Sequence, residues 1–133
     1  LDLITIRVYY KHSAEVIMDE KIEKAFGVAN YMATLSNQRR IILEEYTQKL
    51  VYYTNGATFK VDYNLINFAK NLIDLGHTED IAFVDANNQP VIISNVQDFL
   101  DNIVSVYFEA VNAYHTKFAE IKRKRNVKDL VDL

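Results

Sequence analysis

Cysteine is absent from this 133-residue chain, so neither a disulfide framework nor a thiolate metal site can hold it together. Glycine occurs three times and proline once, too sparsely and in no pattern that builds a phosphate-cradling loop or a dinucleotide fingerprint. Tryptophan is also missing, and no apolar run approaches the ~18 residues that would span a bilayer. With a formal net charge of -3 the chain has no global attraction to nucleic acid or anionic lipid. A single domain in a reducing, cytoplasmic setting is the expectation, with no cofactor and no membrane partner.

What is present is apolar and aromatic. Half of the residues are hydrophobic, and nine Tyr and seven Phe supply a core and material for an interface. In the last third, Leu100, Val104, Tyr107, Val111, Tyr114, Phe118 and Ile121 step by fours and threes, which draws one seam along a helix. A second row, Phe99, Ile103, Val106, Ala110 and Ala113, widens that seam beyond a two-stranded coiled coil.

The chain begins with Leu, and Met18 opens a helix-like stretch, Met-Asp-Glu-Lys-Ile-Glu-Lys. Two readings of residues 1–17 stand side by side. They are a translated upstream leader, which fits a purine-rich ribosome-binding signal encodable in Ala14 to Ile17, or they are a first strand. The strand reading rests on Ile4, Ile6, Val8 and Tyr10 alternating with Thr5, Arg7 and Tyr9.

From Asp19 to about Tyr53 the apolar steps of three and four return, through Ile22, Ala25, Ala29, Met32, Leu43, Tyr46, Leu50 and Tyr53, with Ser36 and Arg39 in the middle of the register. Unbroken, this helix is roughly 52 Å long, and Asn55-Gly56 is its expected stop. Thr58 to Val61 reads as a short strand, and Asp62 as the N-cap of a helix from Tyr63 to Leu75 that Gly76 ends. Ile81–Val84 and Val91–Ile93 form a β-hairpin around Asn87-Asn88, with Pro90 at a strand's start. Ser94 and Gln97 form a capping box for a final helix from Asn95 to about Arg125. The fold class expected is α+β, predominantly helical: two long antiparallel helices with a small strand-helix-hairpin insert, residues 18–133 making one domain.

Chemistry is thinly represented. Lys122, Arg123, Lys124, Arg125 and Lys128 could neutralise phosphates, although cations in a last helical turn equally offset the helix dipole. Arg39-Arg40 could extend that basic face or pair with Glu44 and Glu45. Tyr9-Tyr10 and Tyr52-Tyr53 read as packing rather than stacking platforms. His77, Glu79 and Asp80 read as a solvated loop rather than a metal site. No catalytic residue and no metal ligand is assigned, and an enzyme is not expected.

Three segments carry a resemblance: Asn30-Tyr31-Met32-Ala33-Thr34-Leu35-Ser36-Asn37-Gln38-Arg39-Arg40, Leu50-Val51-Tyr52-Tyr53-Thr54-Asn55-Gly56, and Arg125-Asn126-Val127-Lys128-Asp129-Leu130-Val131. They resemble small uncharacterised proteins of marine T-even-type phages, from about Met18 to the C-terminus. The resemblance brings no site residues. It implies a phage protein of the host cytoplasm or the virion, in particle assembly or as an accessory to DNA metabolism. The function expected is a non-enzymatic interaction or assembly protein, a homo-oligomer with candidate interface residues Phe99, Ile103, Val106, Tyr107, Tyr114 and Phe118. The alternative is a nucleic-acid-binding accessory protein that uses the basic end of the last helix.

Overall fold

The computed structural model describes residues 3–124, with the side chains of residues 8 and 9 outside that description. The fold is mainly helical α+β, with 71% of the described residues helical, a long N-terminal and a long C-terminal helix, and small antiparallel sheets between them in the chain. In order the elements are α1 (Leu3–Lys49), β1 (Val51–Thr54), β2 (Ala57–Lys60), α2 (Tyr63–Asp74), β3 (Glu79–Val84), β4 (Pro90–Asn95) and α3 (Val96–Arg123). The chain gathers into two compact units, one made of residues up to Arg39 together with those from Ile121, the other of Arg40–Glu120.

The N-terminal alternation does not make a strand. Residues from Leu3 onward are helical and continue without interruption to Lys49. In this stretch apolar residues fall on several faces, so an alternating run fits a helix as readily as a sheet edge.

The first helix also stops earlier than its apolar register suggests. Leu50 and Tyr53 lie outside it, and Val51–Thr54 pairs antiparallel with Ala57–Lys60, Thr54 opposite Ala57. Asn55 and Gly56 have φ of 51° and 74°. Two successive positive φ values make the tight turn whose twist matches a hairpin, so the dipeptide joins two strands instead of ending a helix. Val61 N–H donates to Leu50 C=O at 2.9 Å and closes the base of the hairpin.

Within the second unit α2 follows the local sequence rules closely. Asp62 accepts a hydrogen bond from Leu65 N–H at 2.8 Å, the expected N-cap. At the other end Gly76, with φ of 86°, donates to Ile73 C=O and His77 donates to Leu72 C=O. That pair of bonds is the Schellman closure, and only a residue at ease with positive φ completes it cheaply.

β3 and β4 form the second hairpin, with Pro90 opposite Val84 and Ile93 opposite Ile81. Of the two turn asparagines only Asn88 takes positive φ, 60°. The cap of α3 lies one residue later than Ser94. Ser94 belongs to β4, Asn95 Oδ1 accepts from Asp98 N–H at 3.1 Å, and Gln97 donates along the helix to Asp101. Because β4 pairs as far as Asn95 opposite Glu79, the first backbone free to turn into a helix is that of Val96.

The core of this unit takes Phe59 from β2, Val61, Ala69 from α2, Phe83 from β3, Ile93 from β4, and Val96, Phe99 and Ile103 from α3. Three aromatic rings mark its centre. Phe99 lies 5.0 Å from Phe59 and 5.0 Å from Phe83 between centroids, and Tyr52 approaches it edge-on at 5.9 Å. Edge-to-face and tilted pairs of this kind add to the stabilisation that burial alone gives.

One buried charge secures the two hairpins. Asp85 is 5% exposed. Its Oδ1 accepts from Asn87 N–H at 2.9 Å and Gln89 N–H at 2.8 Å, and its Oδ2 accepts from Thr58 N–H at 3.2 Å. Ala86 N–H in turn donates to Thr58 C=O at 2.8 Å. These hydrogen bonds, that from Gln89 first, hold the Asp85 carboxyl below its ordinary value of 3.8.

Two outcomes follow for stability. Phe99→Ala should destabilise the fold by about 3–5 kcal/mol in a denaturant titration, whereas Phe108→Ala, at a half-exposed position, should change it by less than about 1 kcal/mol. The contribution of Asp85 is complete above pH about 4 and is lost as pH falls through its lowered folded value. Asp85→Asn should therefore lower the thermal midpoint at neutral pH and flatten the acid limb of the stability profile. An unchanged midpoint and acid limb would show that the carboxylate does not secure the hairpins.

Candidate interaction site

In the Arg40–Glu120 unit the last helix uses its apolar surface internally. Phe99 and Ile103 are 3% and 0% exposed and belong to the core of their own chain. Val106 and Tyr107 pack against that core, and Tyr114 and Phe118 are half-buried. The deepest line along α3 is Val96, Phe99, Ile103 and Ala110. It takes Phe99, Ile103 and Ala110 from the second of the two apolar rows, whose Val106 and Ala113 are half-buried like the first row's members from Leu100 to Phe118. The second row's spacing leads on to Lys117. The Lys117 ammonium pairs with Glu45 of α1, while Tyr46 and Tyr114 meet at 4.8 Å between ring centroids. Residue 45 with 117 and 46 with 114 is an antiparallel sense. The Lys117 contact holds the Glu45 carboxyl below its usual value. Arg40 pairs with Glu44 at 2.8 Å, one turn along α1.

A shallow polar cleft of ≈ 150 Å³ opens beside the start of α3 in the same unit, with Tyr52, Asn55, Asn95, Asp98 and Asn102 among its walls. Three of its polar side chains have hydrogen-bond partners. Asn102 Nδ2 donates to the Tyr52 hydroxyl at 2.9 Å, Asn95 caps α3, and Asn55 Nδ2 reaches Ile92 C=O at 3.5 Å. No buried polar side-chain atom among the described residues lacks a partner.

Elsewhere in this unit His77 lies exposed between α2 and β3, whereas Glu79 and Asp80, expected in a loop, are the exposed first two residues of β3. Among the described residues no group of metal-ligating side chains converges. No helix among them is long and apolar enough to cross a membrane.

The unit containing α1 up to Arg39 is of a different kind. Half-buried positions Tyr31, Thr34, Leu35 and Gln38 mark one face, and Tyr31 donates its hydroxyl proton to Lys124 C=O at 3.3 Å. Ile121 is buried. At 100° per residue the seam Met18, Ile22, Ala25, Ala29 and Met32 lies almost opposite that face. It is exposed throughout, with Met18 at 62%, Ile22 at 46% and Met32 at 56%. Phe26 and Val28, 70% and 64% exposed, flank it on its two sides. Residues 25–38 contain no charged side chain, and the exposed polar groups among them, Asn30, Ser36 and Asn37, are uncharged. A large apolar surface left open in this way marks an interaction site.

The basic end is divided by the described range. Lys122 and Arg123 are exposed in the last turn of α3, and Lys124 follows it half-buried. Arg125 and Lys128 lie outside the described residues. The placed cations thus occupy the position where a helix dipole favours them.

One titration reports on the packing of α2 against α3. The hydroxyls of Tyr63 and Tyr107 share a hydrogen bond, and their rings stand 5.2 Å apart. That bond first, with desolvation second, pushes Tyr107 up to about 12. Because the folded value is raised, the contribution of the pair is complete below about pH 10 and is lost as pH rises through about 12. Tyrosinate absorbance should show one late-ionising tyrosine, and Tyr63→Phe should return it toward 10. No late component in the parent protein would count against the contact.

No protein-family model, curated protein or solved structure matches the chain.

Proposed function

We propose that this chain is a non-enzymatic interaction or assembly protein that forms oligomers through its long helices, in the setting of a bacteriophage. The observation that carries the reading is the outward face of α1. Among the described residues, ten large apolar side chains between Leu3 and Met32 are at least 43% exposed. Nine of the ten, all but Val16, fall within one half of the helix circumference at 100° per residue. A surface of this kind gains by burial at roughly 25 cal/mol per Å² of apolar area removed from water.

The reading differs from the expectation in its location. Interface residues were expected on α3, but Phe99 and Ile103 are core. The open apolar surface lies on the other long helix. The phage setting rests on the three resembling segments, two of which, residues 30–40 and 50–56, fall in and just after α1.

Multi-angle light scattering of the whole chain at micromolar concentration should give a mass above that of one copy. Ile22→Glu combined with Met32→Glu should reduce it to one copy while leaving the helical circular dichroism intact. A monomeric parent protein would sink the oligomer reading.

A further inference from the structure

We propose that the occupant of the outward face of α1 is the same face of a second copy, running antiparallel from Glu15 to Arg39 about a two-fold axis beside residue 27. The proposal rests on the interaction reading above and adds the partner, the orientation and the register.

The heptad positions decide the orientation. On the seam the charged residues that bracket Met18 to Met32 are Glu15 and Arg39, of opposite sign and equally distant from residue 27. In a parallel, in-register pair Glu15 would face Glu15 and Arg39 would face Arg39, and like charges on a packed seam set up repulsion at both ends. An antiparallel pair centred at residue 27 sets Glu15 of each copy against Arg39 of the other.

The same register matches the apolar layers. Ile22 meets Met32 of the second copy, Ala25 meets Ala29, and Met18 meets Ser36. Large meets large at the layer between centre and end. At the centre small meets small, so the two backbones can approach closely. The flanking pair is accounted for as well. In an antiparallel pair each flank meets the same flank of the other helix. Phe26 therefore lies against its own counterpart on one side and Val28 against its counterpart on the other. Both are exposed in the single chain, at 70% and 64%. The contact spans 25 residues, about 37 Å at 1.5 Å per residue. The intrachain positions Tyr31, Thr34 and Gln38 lie on the far side, while half-buried Leu35, one heptad beyond Val28, sits at the edge between the two faces.

Absence of cysteine makes the register directly testable in the whole chain. Single variants Phe26→Cys and Val28→Cys, each at an exposed position, should oxidise to covalent dimers. Met18→Cys alone and Ser36→Cys alone should not, because each is far from its own counterpart, whereas a mixture of those two should link one to the other. Arg39→Glu or Glu15→Arg should each weaken the dimer about tenfold by turning two ion pairs to repulsion. The double variant should recover most of that loss. An oligomer in which Met18→Cys links to itself overturns the antiparallel register and leaves the interaction reading intact. So does an oligomer with no link at position 26 or 28. A monomer by light scattering overturns both.

Discussion

Two hairpins of two strands each cannot bury a face by themselves, and the ring of Phe99 is what both of them close upon. Tyr52 and Phe59 come to it from the first hairpin and Phe83 from the second. Because Phe99 sits in the first turn of α3, this contact also fixes where that helix begins relative to both sheets. Asp85 imposes the same relation by hydrogen bonding. It spans a five-residue turn and reaches Thr58 on the other hairpin, a geometry that an uncharged or longer side chain would not reproduce. Apolar burial gives most of the free energy here, and the carboxylate restricts which arrangement of the hairpins obtains it.

The parts of this fold that were legible in the sequence are those governed by neighbours along the chain. Asp62 and Gly76 bound α2 because an acceptor and a residue tolerant of positive φ lie at the two ends of an amphipathic run. Asn55-Gly56 was ambiguous, since the same dipeptide closes helices and turns hairpins. The aromatic and β-branched run Val51–Thr54 before it was the discriminating signal. Ser94 and Asn95 are both good caps, and the choice between them was made by how far β4 pairs with β3. The role of Asp85 had no local signal at all. Its sequence context is that of a turn residue, and its burial depends on Thr58, 27 positions away.

In the last helix the unbroken heptad row and the deepest line are not the same. Read as a heptad, the row through Leu100, Tyr107 and Phe118 is unbroken, while the neighbouring row reaches Lys117. Periodicity therefore favours the first row. In the Arg40–Glu120 unit the fold buries Phe99, Ile103 and Ala110 of the second, and Glu45 on α1 gives the Lys117 ammonium a partner at the part-exposed end of that row. The surplus apolar surface that suggested an interface on α3 is thus the surface that receives the hairpins and α2.

On α1 the logic runs the other way. Its residues from Val16 to Met32 include Val16, Ile17, Ile22, Phe26, Gly27 and Val28, none of them strong helix formers. Helical propensity alone does not sustain such a run in water, and in proteins most helical stability comes from packing of a face. The inward face at Tyr31, Thr34, Leu35 and Gln38 begins only near the end of that run. The turns before it have exposed apolar side chains on the outward face and little contact on the other. A helix apolar on two opposite faces is stable when both are covered. Its own chain covers one of them, over part of its length, and the uncharged stretch 25–38 has no solvating charges to make the other face a water-facing one. Placing a second copy along Glu15 to Arg39 covers Ile22, Phe26, Gly27 and Val28, weak helix formers whose turns have little intrachain packing, and a packing partner there helps to keep α1 a single helix.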